Sequence, residues 1–107
     1  MPKEIKDDNF RKDVLEASME KPVLVDFQAP WCAPCKVLEP IIKELAEEIG
    51  DIAVIAKLNT QTSIKTAIDY RVMSVPTLIV FKDGQEKERV SGLKTKEFLK
   101  EMIEKYK

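Results

Sequence analysis

The chain contains no histidine among its 107 residues. Imidazole is therefore excluded as a catalytic base and as a metal ligand, and any proton transfer falls to carboxylates, lysines or thiols. Cysteine is nearly as scarce: Cys32 and Cys35 are the only two. Two thiols without histidine cannot complete a tetrahedral zinc site within one chain, so no metal is expected. Long apolar runs are also missing, and no stretch reaches the length that spans a bilayer. The opening "MPKEIKDDNF" lacks the apolar core of a signal peptide. Taken as the full product, the chain is expected to be cytoplasmic. Neither charge is in excess: 18 Lys and Arg face 19 Asp and Glu, for a formal net charge of -1, and the signs are interleaved. The basic stripe that nucleic acid or an anionic membrane would call for is absent. Repeats, low-complexity tracts and linkers are lacking too, which leaves one domain over residues 1–107.

What is present is enough apolar residue, 44%, to build a core without a disulfide. "KEI" is a short first strand, and "DDNFRKDVLEASM" reads as a helix capped by Asp8 or Asn9. "PVLVDFQA" is β-rich and does not alternate cleanly, as expected of a central strand covered on both faces. From Pro34 to Ile49 the apolar residues Val37, Leu38, Ile41, Ile42, Leu45, Ala46 and Ile49 form one helical stripe. Gly50 ends that helix, and Pro40 inside it should bend the axis. "IAVIAKL" is a strand with Lys57 at its end, and "SIKTAIDYRV" is helical through Ile64, Ala67 and Ile68. "PTLIVF" and the polar "QEKERV" are strands joined by a tight "KDG" turn. "TKEFLKEMIEKYK" closes the chain as an amphipathic helix, capped by Thr95, with Phe98, Leu99, Met102, Ile103 and Tyr106 facing inward.

The order βαβαβαββα implies an α/β fold with a central mixed five-stranded sheet flanked by four α-helices. The first three strands should run parallel, and the last two pair antiparallel. In such sheets the functional crevice lies beyond the carboxyl ends of the parallel strands. Cys32 follows directly after the carboxyl end of "PVLVDFQA".

Three meanings compete for Cys32 and Cys35: a metal half-site, a structural staple and a reactive redox pair. Residues three apart on a helical turn lie on one face, with Cα atoms roughly 5 to 6 Å apart, so a disulfide needs little backbone movement. At a helix start, free N–H groups and the helix dipole favour an anion, and the first thiol loses its proton more readily. Pro34 suits that first turn, where its missing N–H costs nothing. A metal shared by two chains through four thiolates is one alternative. An inert disulfide is another, although so short a loop adds little stability. The setting, between a buried-looking strand and a helix in a βα-alternating domain, favours the redox pair. Asp26, in the apolar "VLVDFQ", is costly to bury as a carboxylate unless paired. Burial should raise its pKa, while Lys57 at the end of a neighbouring strand would offset part of the cost.

"VDFQAPWCAPCKVLEP", "AKLN", "SVPTLIVFKDG" and Gly92 together make the chain resemble the thioredoxin family. The similarity runs over nearly the whole length, in order and at matching spacing. The resemblance implies the thioredoxin fold and reduction of protein disulfides. Cys32 would attack the target, Cys35 would resolve the mixed disulfide from a less exposed position, and Asp26, with Lys57 beside it, would handle the proton. It implies a cis bond between Val75 and Pro76 packed against the cysteines. Trp31, Ala33, Pro34, Val75, Pro76 and Gly92 would form the docking rim for substrate. No flavin or nicotinamide fingerprint occurs, so electrons must come from another protein, a thioredoxin reductase by resemblance, with the Cys32–Cys35 disulfide as the only redox group and a monomer expected. Ala33 stands where the family usually has glycine, and Gln28 where it commonly has tryptophan. "NTQTS" lacks a frequent acidic residue, and Ser74 and Leu93 also depart from the commonest choices. All five are expected on or near the docking side. A more oxidising or glutathione-linked exchanger, or a binding subunit with idle cysteines, are the alternative functions.

Overall fold

The computed structural model describes all residues, 1–107. Strand β2 (Val23–Gln28) lies at the centre of a five-stranded sheet ordered β1-β3-β2-β4-β5, with β1 Lys3–Ile5, β3 Val54–Asn59, β4 Thr77–Lys82 and β5 Gln85–Ser91. β1 and β2 both pair parallel with β3, whereas β4 runs antiparallel to β2 and to β5. The sheet is therefore mixed, with one parallel and one antiparallel half meeting at β2. Asp83 and Gly84 both take positive φ, 56° and 76°, in the tight β4–β5 turn. Such turns match the twist of the strands they join.

Pleating sends alternate residues of β2 to opposite faces. Val23, Val25 and Phe27 enter a core layer with Ala56, Leu58, Ile79 and Phe81. This layer is covered by the N-terminal helix Arg11–Glu16, which is wound wider than an α-helix, through Phe10 and Val14. Phe10, Tyr70 and Phe81 meet there with ring centroids 5.2 to 5.6 Å apart. Leu24 enters the other layer, under helices α1 (Ala33–Ile49) and α3 (Lys96–Glu104). There Leu38, Ile42, Leu45 and Ile49 of α1 meet Leu99, Met102 and Ile103 of α3. Each such side chain contributes roughly 1.5–3 kcal/mol by leaving water. Asp26 belongs to the α1 side by the same alternation: it lies between Val25 and Phe27 in sequence but faces with Leu24.

α1 runs unbroken through Pro40 to Gly50, whose φ is +56°. Thr95 caps α3 by accepting the Phe98 N–H at 3.0 Å. Lys96 reaches Glu44 and Glu48 of α1, and Lys100 reaches Glu48, tying the two helices across the surface.

Five side-chain placements differ from what the sequence pattern suggests. Val37 and Phe98 are exposed, because each lies at the margin of its helix's stripe and beyond the reach of the sheet. Ile64 and Ile68 of α2 (Ile64–Asp69) are exposed too, and α2 instead buries Thr66 and Ala67. The reason is an anchor from outside the helix: the Asp7 carboxylate accepts from the Thr66 N–H and the Thr66 hydroxyl, turning that face inward. Asn9 does not cap the first helix. Its side chain accepts from the Lys6 N–H, closing the preceding turn instead.

Candidate active site

β2 ends at Gln28, and after a short turn Cys32 becomes the N-cap of α1, with Ala33 and Pro34 in the first turn. Cys32 and Cys35 are joined by a disulfide, with Cα atoms 5.2 Å apart. The Cys35 N–H donates to the Cys32 sulfur at 3.2 Å, so one of the free N–H groups of the helix start is spent on that sulfur. The Cys32 Sγ also lies 3.6 Å from the Val75 carbonyl oxygen. Both cysteines are buried, Cys32 at 3% exposure and Cys35 at 2%, so the expected contrast in exposure is almost absent in the oxidised pair. What separates them is direction. Cys32 meets Val75, and Cys35 lines a cavity of about 220 Å³ on the α1 side, with Gln28, Glu39 and Asn59.

Asp26 is 1% exposed, and its Oδ1 has no hydrogen-bond partner. Removal from water pushes its pKa from 3.8 up to about 7, the Glu39 carboxylate adds to the rise, and the Lys57 ammonium opposes it. Parallel pairing places Lys57 directly across from Asp26 in the register of β2 and β3. Asp26, Lys57, Gln28 and Glu39 line a second, smaller cavity of about 100 Å³.

Opposite the disulfide, the Val75–Pro76 peptide is cis. The Val75 N–H donates to no other backbone group. Gly92 lies alongside with φ +88°, its N–H donating to the Pro76 carbonyl at 2.9 Å. Trp31 is 68% exposed and, with Val75, Ser74, Met73, Ile64 and Ile68, lines a mostly apolar groove of about 300 Å³. Ala33 and Pro34 are exposed on the rim.

A reactive-looking disulfide at a helix start, a buried acid behind it and an apolar groove beside it form one unit. The family model described as thioredoxin matches residues 1–105. The chain belongs to the thioredoxin family. It is 43% identical over 102 residues to the chloroplastic M-type thioredoxin of Chlamydomonas reinhardtii, covering 95% of this chain and 71% of that protein. It is 40% identical over 102 residues to thioredoxin 1 of Synechococcus elongatus, covering 95% and 94%. A thioredoxin of Mycobacterium bovis is 48% identical over 92 residues, covering 86% and 78%. As a thioredoxin-family protein with a Cys32–Cys35 disulfide, the chain is a thiol–disulfide oxidoreductase of the dithiol reductase type.

Within this thioredoxin site the structure brings Trp31, Cys32, Val75, Pro76 and Gly92 to one side of the disulfide, and Cys35, Asp26 and Lys57 to the other. Gln28 lies next to the docking side, its carbonyl accepting from the Thr60 N–H and hydroxyl, and Thr60 lines the groove. Gln28 itself lines both cavities behind the disulfide. Ser74 lines the groove, and Leu93 is 48% exposed. Sequence reasoning missed Glu39 altogether. The available signal was its spacing: four residues after Cys35 places it on the same face of α1.

Proposed function

We propose that the reduced protein donates both electrons to a protein disulfide through a Cys32 mixed disulfide. The Cys32 thiolate attacks one target sulfur, breaking the target S–S bond and releasing one target thiolate. Cys35 then attacks the Cys32 sulfur. The Cys32–Cys35 bond forms, the mixed disulfide breaks, and the second target thiol leaves. Ionised Asp26 takes the proton that Cys35 must lose and becomes the neutral acid, and Lys57 favours the ionised form that can accept it. The observation that carries this reading is the Cys35 N–H held 3.2 Å from the Cys32 sulfur at the start of α1, which favours a thiolate on Cys32.

Substrate docks as an extended segment in the groove beside Trp31, over Ala33, Pro34 and Gly92, and pairs with the backbone of Val75. The reduced Cys32–Cys35 dithiol carries the electrons, and neither a bound cofactor nor a metal is required. Family membership implies protein disulfides as substrates and a reductase as donor. We assign that donor as a thioredoxin reductase, the working form as a monomer, and the site of action as a reducing cytoplasm. Nucleic acid and membrane have no part in the cycle. No helix is long and apolar enough to cross a membrane.

The test is reduction of a disulfide-bonded protein by wild type, Cys32→Ser and Cys35→Ser, with the potential measured against a redox buffer. Cys32→Ser is expected to lose all turnover, and Cys35→Ser to stall as a stable mixed disulfide with its target. Full turnover by Cys32→Ser would end the proposal, and a strongly oxidising potential would reassign the protein to disulfide formation.

A further inference from the structure

Glu39 stands where the two cavities behind the disulfide meet. It lines the cavity reached by Cys35 and also the one reached by Asp26, a position shared only with the neutral Gln28. Its placement follows from helix geometry. Cys35, Glu39 and Ile42 lie along one side of α1, Ile42 is buried against the sheet, and the stripe brings Glu39 over β2 at Asp26.

The charges around Asp26 are few. From β3 comes Lys57 and from α1 Glu39 and Lys43, while Met1 and Pro2 also line the cavity. The paired residue on β4, Leu78, carries no charge. None of Glu39, Lys43 and Lys57 belongs to an ion pair. Their charges are therefore not neutralised by close partners and act across the cavity. The ammonium groups favour an ionised Asp26. Among these charges only Glu39 favours the protonated form, adding like-charge repulsion to the effect of burial.

We propose that Glu39 is a positioning residue for the disulfide chemistry: across the shared cavity its carboxylate adds to burial in holding the proton on Asp26, and so raises the pH at which Cys35 is deprotonated. This rests on the reading of Asp26 as the proton acceptor for Cys35. In this arrangement Glu39 and Lys57 act as opposed regulators of one buried acid. Glu39 itself is exposed, so its influence should weaken as salt rises, whereas burial of Asp26 is unaffected by salt.

Two readouts separate this proposal from the reading beneath it. Asp26 is titrated directly, by carbon NMR of labelled aspartate carboxyls in the reduced protein. The Cys35 step is timed by loading Cys32 with an aromatic thiol and following thiol release from about pH 5 to 9. In Glu39→Gln, the Asp26 midpoint is expected to fall, and the pH profile of release to move down with it. Glu39→Lys should move both further in the same direction, and Lys57→Gln should move both upward. High salt should shrink the difference between wild type and Glu39→Gln. An Asp26 midpoint that stays at the wild-type value in both Glu39 variants overturns the proposal, whatever Asp26 does in the reaction. A midpoint that falls while the release profile stays in place overturns the proton-acceptor role of Asp26, and with it the catalytic half of this inference.

Discussion

Asp26 places a titratable group in a strand that is otherwise apolar, and its cost is a function of pH. Its pKa is raised to about 7 in the folded protein, against an ordinary value near 3.8. Below about pH 3 the group is protonated in both states and does not affect stability. Between that point and about pH 7 the unfolded chain gives up the proton and the folded chain keeps it. Stability therefore falls with rising pH, by at most about 1.4 kcal/mol per unit, and levels off above the folded value. Asp26→Ala should accordingly be more stable than wild type at pH 8, by about 2–4 kcal/mol, and gain almost nothing from this source at about pH 3. Urea denaturation at the two pH values checks this. A wild-type protein that gains stability from pH 5 to 8 would contradict it. Asp26 was legible in the sequence as an acid among β-formers, whereas Glu39 read as one more exposed helix residue. Nothing local marks a glutamate as lying over a buried acid.

At the scale of elements, α1 does two jobs with opposite ends. Its start presents N–H groups to the Cys32 sulfur, and its body supplies Leu38, Ile42, Leu45 and Ile49 to the core. The chemistry therefore rests on a helix anchored along its length, which keeps the sulfur and the helix start in fixed relation. α3 is shorter and depends more on its cap. Thr95→Ala removes the side-chain acceptor for the Phe98 N–H and should cost about 1 kcal/mol of stability. Thr95→Ser should restore most of it, because the hydroxyl is retained. Thermal melts of the three proteins provide the measurement. Helix periods identified both elements correctly and overreached at their margins, at Val37 and Phe98. A period describes which residues share a side, and the width of the partner surface decides how much of that side is covered. α2 shows the limit more clearly: Ile64 and Ile68 mark its helical period, yet the hydrogen bonds that Thr66 donates to Asp7 turn them outward to line the groove by Trp31.

Across the whole molecule, β2 is shared by both core layers. Leu24 packs beneath α1 and α3, while Val23, Val25 and Phe27 pack toward the N-terminal helix. Loss of one layer removes the support of the strand that the other layer needs, so the two should unfold together. Leu38→Ala, which truncates a fully buried side chain of α1, should cost about 2–5 kcal/mol. The same loss should appear in the slow-exchanging amides of Val25 and Ile79, whose side chains are in the opposite layer. Hydrogen exchange of wild type and variant tests this, and an effect confined to the layer of Leu38 would show two independent units. The site shares this dependence, because Cys32 and Val75 meet across 43 residues of sequence.

The sequence by itself determined the elements, the mixed sheet and the redox pair. Helix and strand periods, the capping threonine and the three-residue spacing of Cys32 and Cys35 act over one or two turns, and short-range sterics and hydrogen bonding settle them. Tertiary structure alone decided that β4 reverses against β2, that Val75 closes on the Cys32 sulfur, and that Lys57 and Glu39 flank Asp26 from a strand and a helix. Those meetings depend on strand order and register. Both are chosen by the burial of whole faces, a property of the assembled sheet and its two layers that no short stretch of sequence contains.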